Sequence, residues 1–204
     1  MTILATPPQA PAVAPSNRGQ AATSENSGER GSFRDLFERE FDYVWISLRR
    51  LGVHPSDLED VAQEVFVQVH RRLAVYDPAR PLRPWLFAFA ARCASDWRRL
   101  SRHRVEVLGI DEGAAAAAVA PAADDALESA RDHELVLRAL AQLDPDRRAV
   151  FVLHELDECP MKEIAEALGL PLFTGYSRLR LARRDFTKAV RRLRPSPATQ
   201  RDRA

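Results

Sequence analysis

Residues 159–184 read CPMKEIAEALGLPLFTGYSRLRLARR, and the fold of the whole chain turns on this stretch. Ile164, Ala165 and Leu168 recur three to four apart, which is one face of a short helix. Gly169 follows where a helix would stop in a left-handed turn. Leu170 supplies a core plug, and Pro171 suits the first position of a second helix. Along that helix Gly175, Leu179, Ala182, Phe186, Ala189, Val190 and Leu193 share one stripe. Phe173, Thr174, Ser177, Arg180, Arg184, Lys188 and Arg191 lie on the other side. A short helix, a glycine turn and a basic amphipathic helix predict a helix-turn-helix, whose second helix enters the major groove of DNA. Any antiparallel helix pair shares that pattern, so charge must separate the readings. Residues 171–194 carry Arg178, Arg180, Arg183, Arg184, Lys188, Arg191, Arg192 and Arg194 against Asp185 alone. A surface this one-sided suits phosphate.

The whole chain has 204 residues and a formal net charge of +1. The near-neutral total conceals segregation: basic segments at 83–104 and 171–194, acidic stretches elsewhere. Cys93 and Cys159 lie in no CxxC or Cys/His cluster, so no zinc site is expected, and both suit a reducing compartment. No apolar run reaches the length of a membrane span, and the start lacks the pattern of a signal peptide. The expected location is the cytoplasm. No cofactor is implied. His54, His70, His103, His133 and His154 are scattered, with no recognisable nucleophile–base pair, so an enzyme is not expected.

The remaining segments read as helices and connectors. Residues 1–32, rich in Ala, Pro, Ser, Thr, Gln and Gly, are expected to be a disordered tail. Residues 33–51 form a helix on Phe33, Leu36, Phe37, Phe41, Val44, Trp45 and Leu48, ended by Gly52. Ser56 or Asp57 caps the next, 57–73, with Leu58, Val61, Ala62, Val65, Val69 and Leu73 on its core face. Asp57, Glu59 and Asp60 favour its positive end. After a proline-rich loop, Pro84 opens a helix over 85–101, buried through Leu86, Phe89, Ala90, Cys93 and Trp97. Asp96 is the only acid in 81–104, beside Arg83, Arg92, Arg98, Arg99, Arg102 and Arg104. Aromatics among arginines can stack on unpaired bases and neutralise phosphates. Residues 105–127 read as a flexible acidic linker, low in complexity and without Lys or Arg. Helices at 128–142 and 145–156, the latter capped by Asp144, lead into the helix-turn-helix, and 195–204 form a polar disordered tail. The fold class expected is all-α: two small helical domains, 33–104 and 128–194, joined by a flexible linker.

These residues together resemble the bacterial RNA polymerase sigma factors of the extracytoplasmic-function class, in the sigma-70 family. Asp57-Leu58-Glu59-Asp60-Val61-Ala62-Gln63-Glu64-Val65-Phe66 is similar to that family's D-x-E-D-x-x-Q-E-x-F helix. Arg83-Pro84-Trp85-Leu86 and Asp96-Trp97-Arg98-Arg99 resemble its R-P-W-L…D-x-x-R segment. Leu143, Arg147, Phe151, Glu163-Ile164-Ala165, Ser177-Arg178-Leu179 and Ala182-Arg183 resemble its fourth region. The resemblance implies a subunit that binds core RNA polymerase, directs it to specific promoters and helps melt promoter DNA. It implies that Asp57, Asp60, Gln63, Glu64 and Phe66 meet the polymerase. It implies that residues 75–82, with Tyr76, capture an unstacked base of the minus-ten element. Arg83, Trp85, Arg92, Arg98 and Arg99 would grip the adjacent DNA, and Phe173, Thr174, Ser177, Arg178, Arg180 and Arg184 the minus-thirty-five groove. Members are often held by an anti-sigma factor, which joins core polymerase and promoter DNA among the candidate partners. The free chain would be a monomer, binding promoters poorly because the tether leaves the spacing of its domains unfixed.

This chain departs from the family in places. Thr174-Gly175-Tyr176-Ser177 stands where Thr-Val before Lys-Ser-Arg-Leu is common, Phe173 where a small residue is frequent, and Arg92 where Asn is common. A glycine at 175 costs roughly 1 kcal/mol relative to Ala inside a helix, which implies a close helix approach or a softer helix. Two rivals stay open on the sequence. An ordinary helix-turn-helix regulator would show a ligand pocket or dimer seam before residue 159, and a sigma-like adaptor would survive charge reversal of the recognition-helix arginines.

Overall fold

The computed structural model describes residues 25–108 and 124–194. Its order is α1 (Glu25–Leu51), α2 (Leu58–Arg72), α3 (Leu82–Leu108), α4 (Asp124–Ala141), α5 (Pro145–Phe151), α6 (Met161–Ala167) and α7 (Leu172–Leu193). No strand occurs among the described residues, and the all-α expectation holds.

The first three helices wrap one core. Val44 and Leu48 of α1, Ala62, Val65 and Val69 of α2, and Leu86, Phe87, Ala90 and Ala94 of α3 are fully buried. Their spacing is the apolar stripe of amphipathic helices. Phe37 and Phe41, four apart on α1, close on Phe66 of α2 with ring centroids at 4.6 and 6.1 Å. Gly52 takes a φ of +89° and ends α1: its amide donates to Arg49 O at 3.0 Å, and that of Val53 to Leu48 O at 3.1 Å. Asp57 precedes α2 without capping it through its side chain. Its Oδ2 instead accepts the Trp97 indole N–H at 3.1 Å, tying α2 to α3.

In the second domain Leu140, Val150, Val152, Leu153, Ile164 and Ala182 are buried from α4 to α7. Asp144 caps α5, accepting from the amides of Asp146 and Arg147 at 3.1 and 3.2 Å. The expected 145–156 helix changes character at its end: residues 152–156 form a π-helical turn. Asp157 follows it, then Glu158 at φ 54°. Gly169, at φ 63°, makes the expected turn, with its own amide donating to Glu166 O and that of Leu170 to Ala165 O. Pro171 stands just before α7 rather than inside it.

Several boundaries differ from expectation. α1 begins at Glu25, inside the expected tail; α3 runs to Leu108 and α4 starts at Asp124, inside the expected linker. Residues 1–24, 109–123 and 195–204, which hold the rest of those segments, lie outside the described residues. The two domains are also packed together, which the periodicity of single helices does not indicate. Buried residues of both form one continuous cluster, with α4 and α5 against α1 and α6 against α3.

Candidate polymerase and promoter interfaces

The exposed side of α2 is built by subtraction. Its apolar stripe is buried, so Asp60, Gln63, Glu64 and Val67 stand out on one face, spaced three to four apart. Val67, an apolar residue 43 % exposed, stands on the same face. The sequence reading missed it; its place seven residues after Asp60 is the signal that marks it. Phe66 belongs to the opposite side. It is 3 % exposed and held by Phe37 and Phe41, so it offers a partner no surface and supports the helix from beneath. Asp57 is half-buried, engaged by Trp97.

The loop before α3 is ordered by its own polar groups. Asp77 Oδ1 accepts the Ala79 amide at 3.0 Å, and the Tyr76 hydroxyl donates to Arg80 O at 2.6 Å. The Tyr76 ring packs on Trp85 at 4.6 Å, and Trp85 on Phe89 at 4.8 Å. An aromatic wall thus stands beside Val75, which is 75 % exposed. Arg83 leans over the Tyr43 ring, 5.1 Å from its centroid, with Glu40 at 3.5 Å. Arg99 is exposed beside Asp96 at 3.3 Å. Arg98 is different: it is half-buried and donates to Leu51 O at 2.9 Å. Burial, with Arg102 next, lowers its pKa, yet a guanidinium remains charged near neutral pH.

On α7 the arginines divide by role. Arg178 pairs with Asp146 at 2.8 Å and Arg183 with Glu155 at 2.7 Å, holding α7 to the preceding segment. Arg147 of α5 reaches Asp185 at 2.8 Å. Arg180, Lys188 and Arg191 face solvent, and so does Arg184, whose pair with Asp185 is between chain neighbours. The first turn of α7 is aromatic rather than cationic: Phe173 is 81 % and Tyr176 56 % exposed, while Thr174 and Ser177 are half-buried. Tyr176 was not among the expected contacts, although its spacing of three from Phe173 places it on the same face. The first turn carries no acid, so its free N–H groups present an undiminished positive end. Gly175 is explained by close approach. A Cβ there would lie 2.6 Å from Met161 Sδ and 3.3 Å from Leu170 Cδ1.

The family models for sigma-70 region 2 and sigma-70 region 4 match residues 36–104 and 133–186. The chain is 35 % identical over 161 residues to the RNA polymerase sigma factor CarQ of Myxococcus xanthus, covering 79 % of this chain and 88 % of that one. The chain belongs to the extracytoplasmic-function sigma factors. It is 31 % identical to the ECF sigma factor SigL of Mycobacterium tuberculosis, covering 82 % of this sigma factor and 93 % of SigL. The solved structure of CnrH with the cytosolic domain of CnrY superposes with a TM-score of 0.58 at 27 % identity, over 82 % of this chain and 93 % of that one. RpoE of Bartonella quintana, solved with the anti-sigma factor NepR, shares the fold with a TM-score of 0.64 at 20 % identity, over 80 % and 99 %. This sigma factor is therefore an initiation factor that directs RNA polymerase to specific promoters. No described helix is long and apolar enough to cross a membrane.

Proposed function

We propose that this sigma factor divides its work among three exposed faces. Asp60, Gln63, Glu64 and Val67 of α2 meet core polymerase, with Asp57 at the edge of that face and Phe66 supporting it. The Val75–Tyr76 loop and Trp85 hold an unstacked minus-ten base, while Arg83, Arg92, Arg98 and Arg99 serve the flanking phosphates. Phe173, Thr174, Tyr176, Ser177 and Arg180 approach the minus-thirty-five groove, and Arg178 and Arg184 the phosphates beside it. The observation that carries this reading is the exposed first turn of α7, where large aromatics stand in solvent and aromatic carbon can meet thymine methyl groups. The protein acts in the cytoplasm as a binding subunit with no reaction of its own. By likeness to CnrH and RpoE, each solved with such a partner, it is also held by an anti-sigma factor.

The test is transcription in vitro with sigma-free core polymerase and candidate promoters from the source genome. Initiation at a defined start, lost in Arg180→Glu and in Phe173→Asp, supports the α7 assignment. Initiation that survives both variants overturns it.

A further inference from the structure

We propose that this sigma factor carries a binding site for a small organic anion, a carboxylate or phosphate ester on a compact apolar body, in a cavity bordered by α3, α5, α6 and α7. The cavity has a volume of about 380 Å³. That is the size of a small-ligand site, well above the water-sized voids of a packed interior. The sequence accounts for the space. On α3, Ala88, Ala91 and Ser95 stand three and four apart, on one face of the helix. The second domain adds Ala149 of α5 and Ala167 of α6. Five short side chains meet where longer ones would interdigitate, and Leu51 and Leu168 extend the apolar wall.

Charge selects the ligand. The lining holds Arg92, Arg98 and Arg178 against Asp96 and Asp146, so one positive charge is left over. Both acids are already engaged, Asp146 by Arg178 at 2.8 Å and Asp96 by Arg99 at 3.3 Å. Asp144, nearby, spends its carboxylate on the amides of Asp146 and Arg147. Arg92 and Arg98 flank the small-residue stripe, one on each side at about 100° per residue, and neither joins an ion pair among the described residues. Arg98 gives one N–H to Leu51 O at 2.9 Å, and a guanidinium has five. Burial, then Arg102, lowers its pKa against the smaller pull of Asp146 and Asp144, so a bound anion would offset what desolvation costs this cation. Guanidinium forks match carboxylate and phosphate oxygens in pairs. A neutral ligand leaves the surplus charge unmet, and a bare inorganic anion leaves the apolar wall wet. The site requires no promoter contact, so it stands apart from the α7 assignment.

The test is calorimetric titration of the full chain with four probes: phenyl phosphate, benzoate, inorganic phosphate and benzyl alcohol. Phenyl phosphate or benzoate should bind one to one, about tenfold or more tighter than inorganic phosphate and benzyl alcohol, which each lack one half of the ligand. Whichever of the two binds more tightly names the headgroup. Arg92→Gln should weaken that binding by about tenfold, as loss of a charged hydrogen-bond donor does. Ala91→Leu and Ala167→Leu fill the cavity from opposite domains without removing a charge, and each should abolish binding. Arg180→Glu, on the exposed side of α7, should leave it unchanged even where initiation is lost. Location is read independently of any variant by nuclear Overhauser contacts from the probe's ring protons to labelled alanine methyls, expected at Ala88, Ala91 and Ala167. Equal affinity for phenyl phosphate and inorganic phosphate would reduce the effect to loose anion attraction and overturn the site. So would binding that survives both leucine variants, contacts to other alanines only, or no binding of any probe, which would make the cavity a solvent space.

Discussion

The Arg148 guanidinium, from the second domain, donates to the carbonyl oxygen of Leu51, the last residue of α1 in the first, at 2.7 Å. The same group donates to Ala141 O at 2.9 Å and Leu143 O at 3.2 Å, closing the end of α4. Two carbonyls that helix ends leave unpaired, those of Leu51 and Ala141, and one from the α4–α5 connector, that of Leu143, converge on one cation. Gly52 makes the approach possible, because a Cβ there would overlap Arg148 Nη1. Burial first, and the nearby Arg98 second, lower the Arg148 pKa to about 10, so the charge persists at neutral pH.

Replacing Arg148 therefore takes the donor from Ala141 O and Leu143 O, while Leu51 O keeps the Arg98 guanidinium at 2.9 Å. Arg148→Ala should lower the unfolding free energy by about 2–4 kcal/mol, given what charged hydrogen bonds contribute. Arg148→Lys should recover little, since an ammonium cannot span three carbonyls as a planar fork does. Urea midpoints of the full chain check both variants. A lysine variant as stable as the parent would mean that charge, not the fork, matters.

Much of this architecture was legible in the sequence, and what escaped has a common cause. The stripes of α1, α2, α3 and α7 follow helical period, and Gly52 and Gly169 mark turns that the backbone makes. The burial of Arg148 escaped the sequence because it depends on carbonyls from segments far apart in the chain. The partners of Asp157, Arg50 and Tyr43, escaped it for the same reason. The π-helical turn is invisible because Val152, Leu153 and Leu156 suit an ordinary helix equally well. At the site, charge pointed to α7 but not to which arginines are taken up by Asp146 and Glu155, since pairing is tertiary. Phe66, which the resemblance places at the polymerase interface, has a buried side chain, because a motif position does not say which way a side chain points.

Gly175 gives a sharper test of packing. Alanine there gains about 1 kcal/mol of helix propensity, but its methyl would press on Met161 Sδ and Leu170. Overpacking of a filled core costs about 1–3 kcal/mol, so Gly175→Ala should be destabilising by roughly 1 kcal/mol and Gly175→Val by more. In a Met161→Ala background the obstruction is gone, and the same alanine should become stabilising. Thermal melts of the four chains complete the cycle. Gly175→Ala stabilising in the parent background would contradict the close approach.

The cysteines report on the fold through pH. Burial, then the neighbouring Glu64, raises the Cys93 thiol to about 12, and burial, then Asp157, raises Cys159 to about 11. Both folded values lie above the unfolded one, so their contribution to stability is complete below about pH 8.5 and declines as pH rises from there. Alkylation at pH 8 should be about two orders of magnitude slower in the native chain than in urea, because the thiolate is scarce. Between pH 8 and 10 the urea midpoint should fall, and Cys93→Ala should reduce that fall. A midpoint flat across this window would show that the thiols ionise alike in both states.

The face of α2 yields a separation of function from folding. Asp60, Gln63 and Glu64 are exposed, so substituting them removes nothing from the core. Asp60→Lys and Gln63→Ala should leave the melting temperature within error of the parent, since exposed changes of this kind shift stability by no more than about 0.5 kcal/mol. Both should weaken binding to core polymerase, Asp60→Lys by tenfold or more, on the order of 1.4 kcal/mol. Val67→Asp should act likewise if the exposed valine belongs to the same contact. Phe66→Ala should do the reverse. It empties the space beside Phe37 and Phe41 and costs about 3–5 kcal/mol of stability, while core binding measured well below its melting temperature changes little. Titration of fluorescently labelled core polymerase with each variant, paired with its melting curve, separates the two classes. Loss of binding in Phe66→Ala with no loss of stability would put its ring at the polymerase surface, against its burial here.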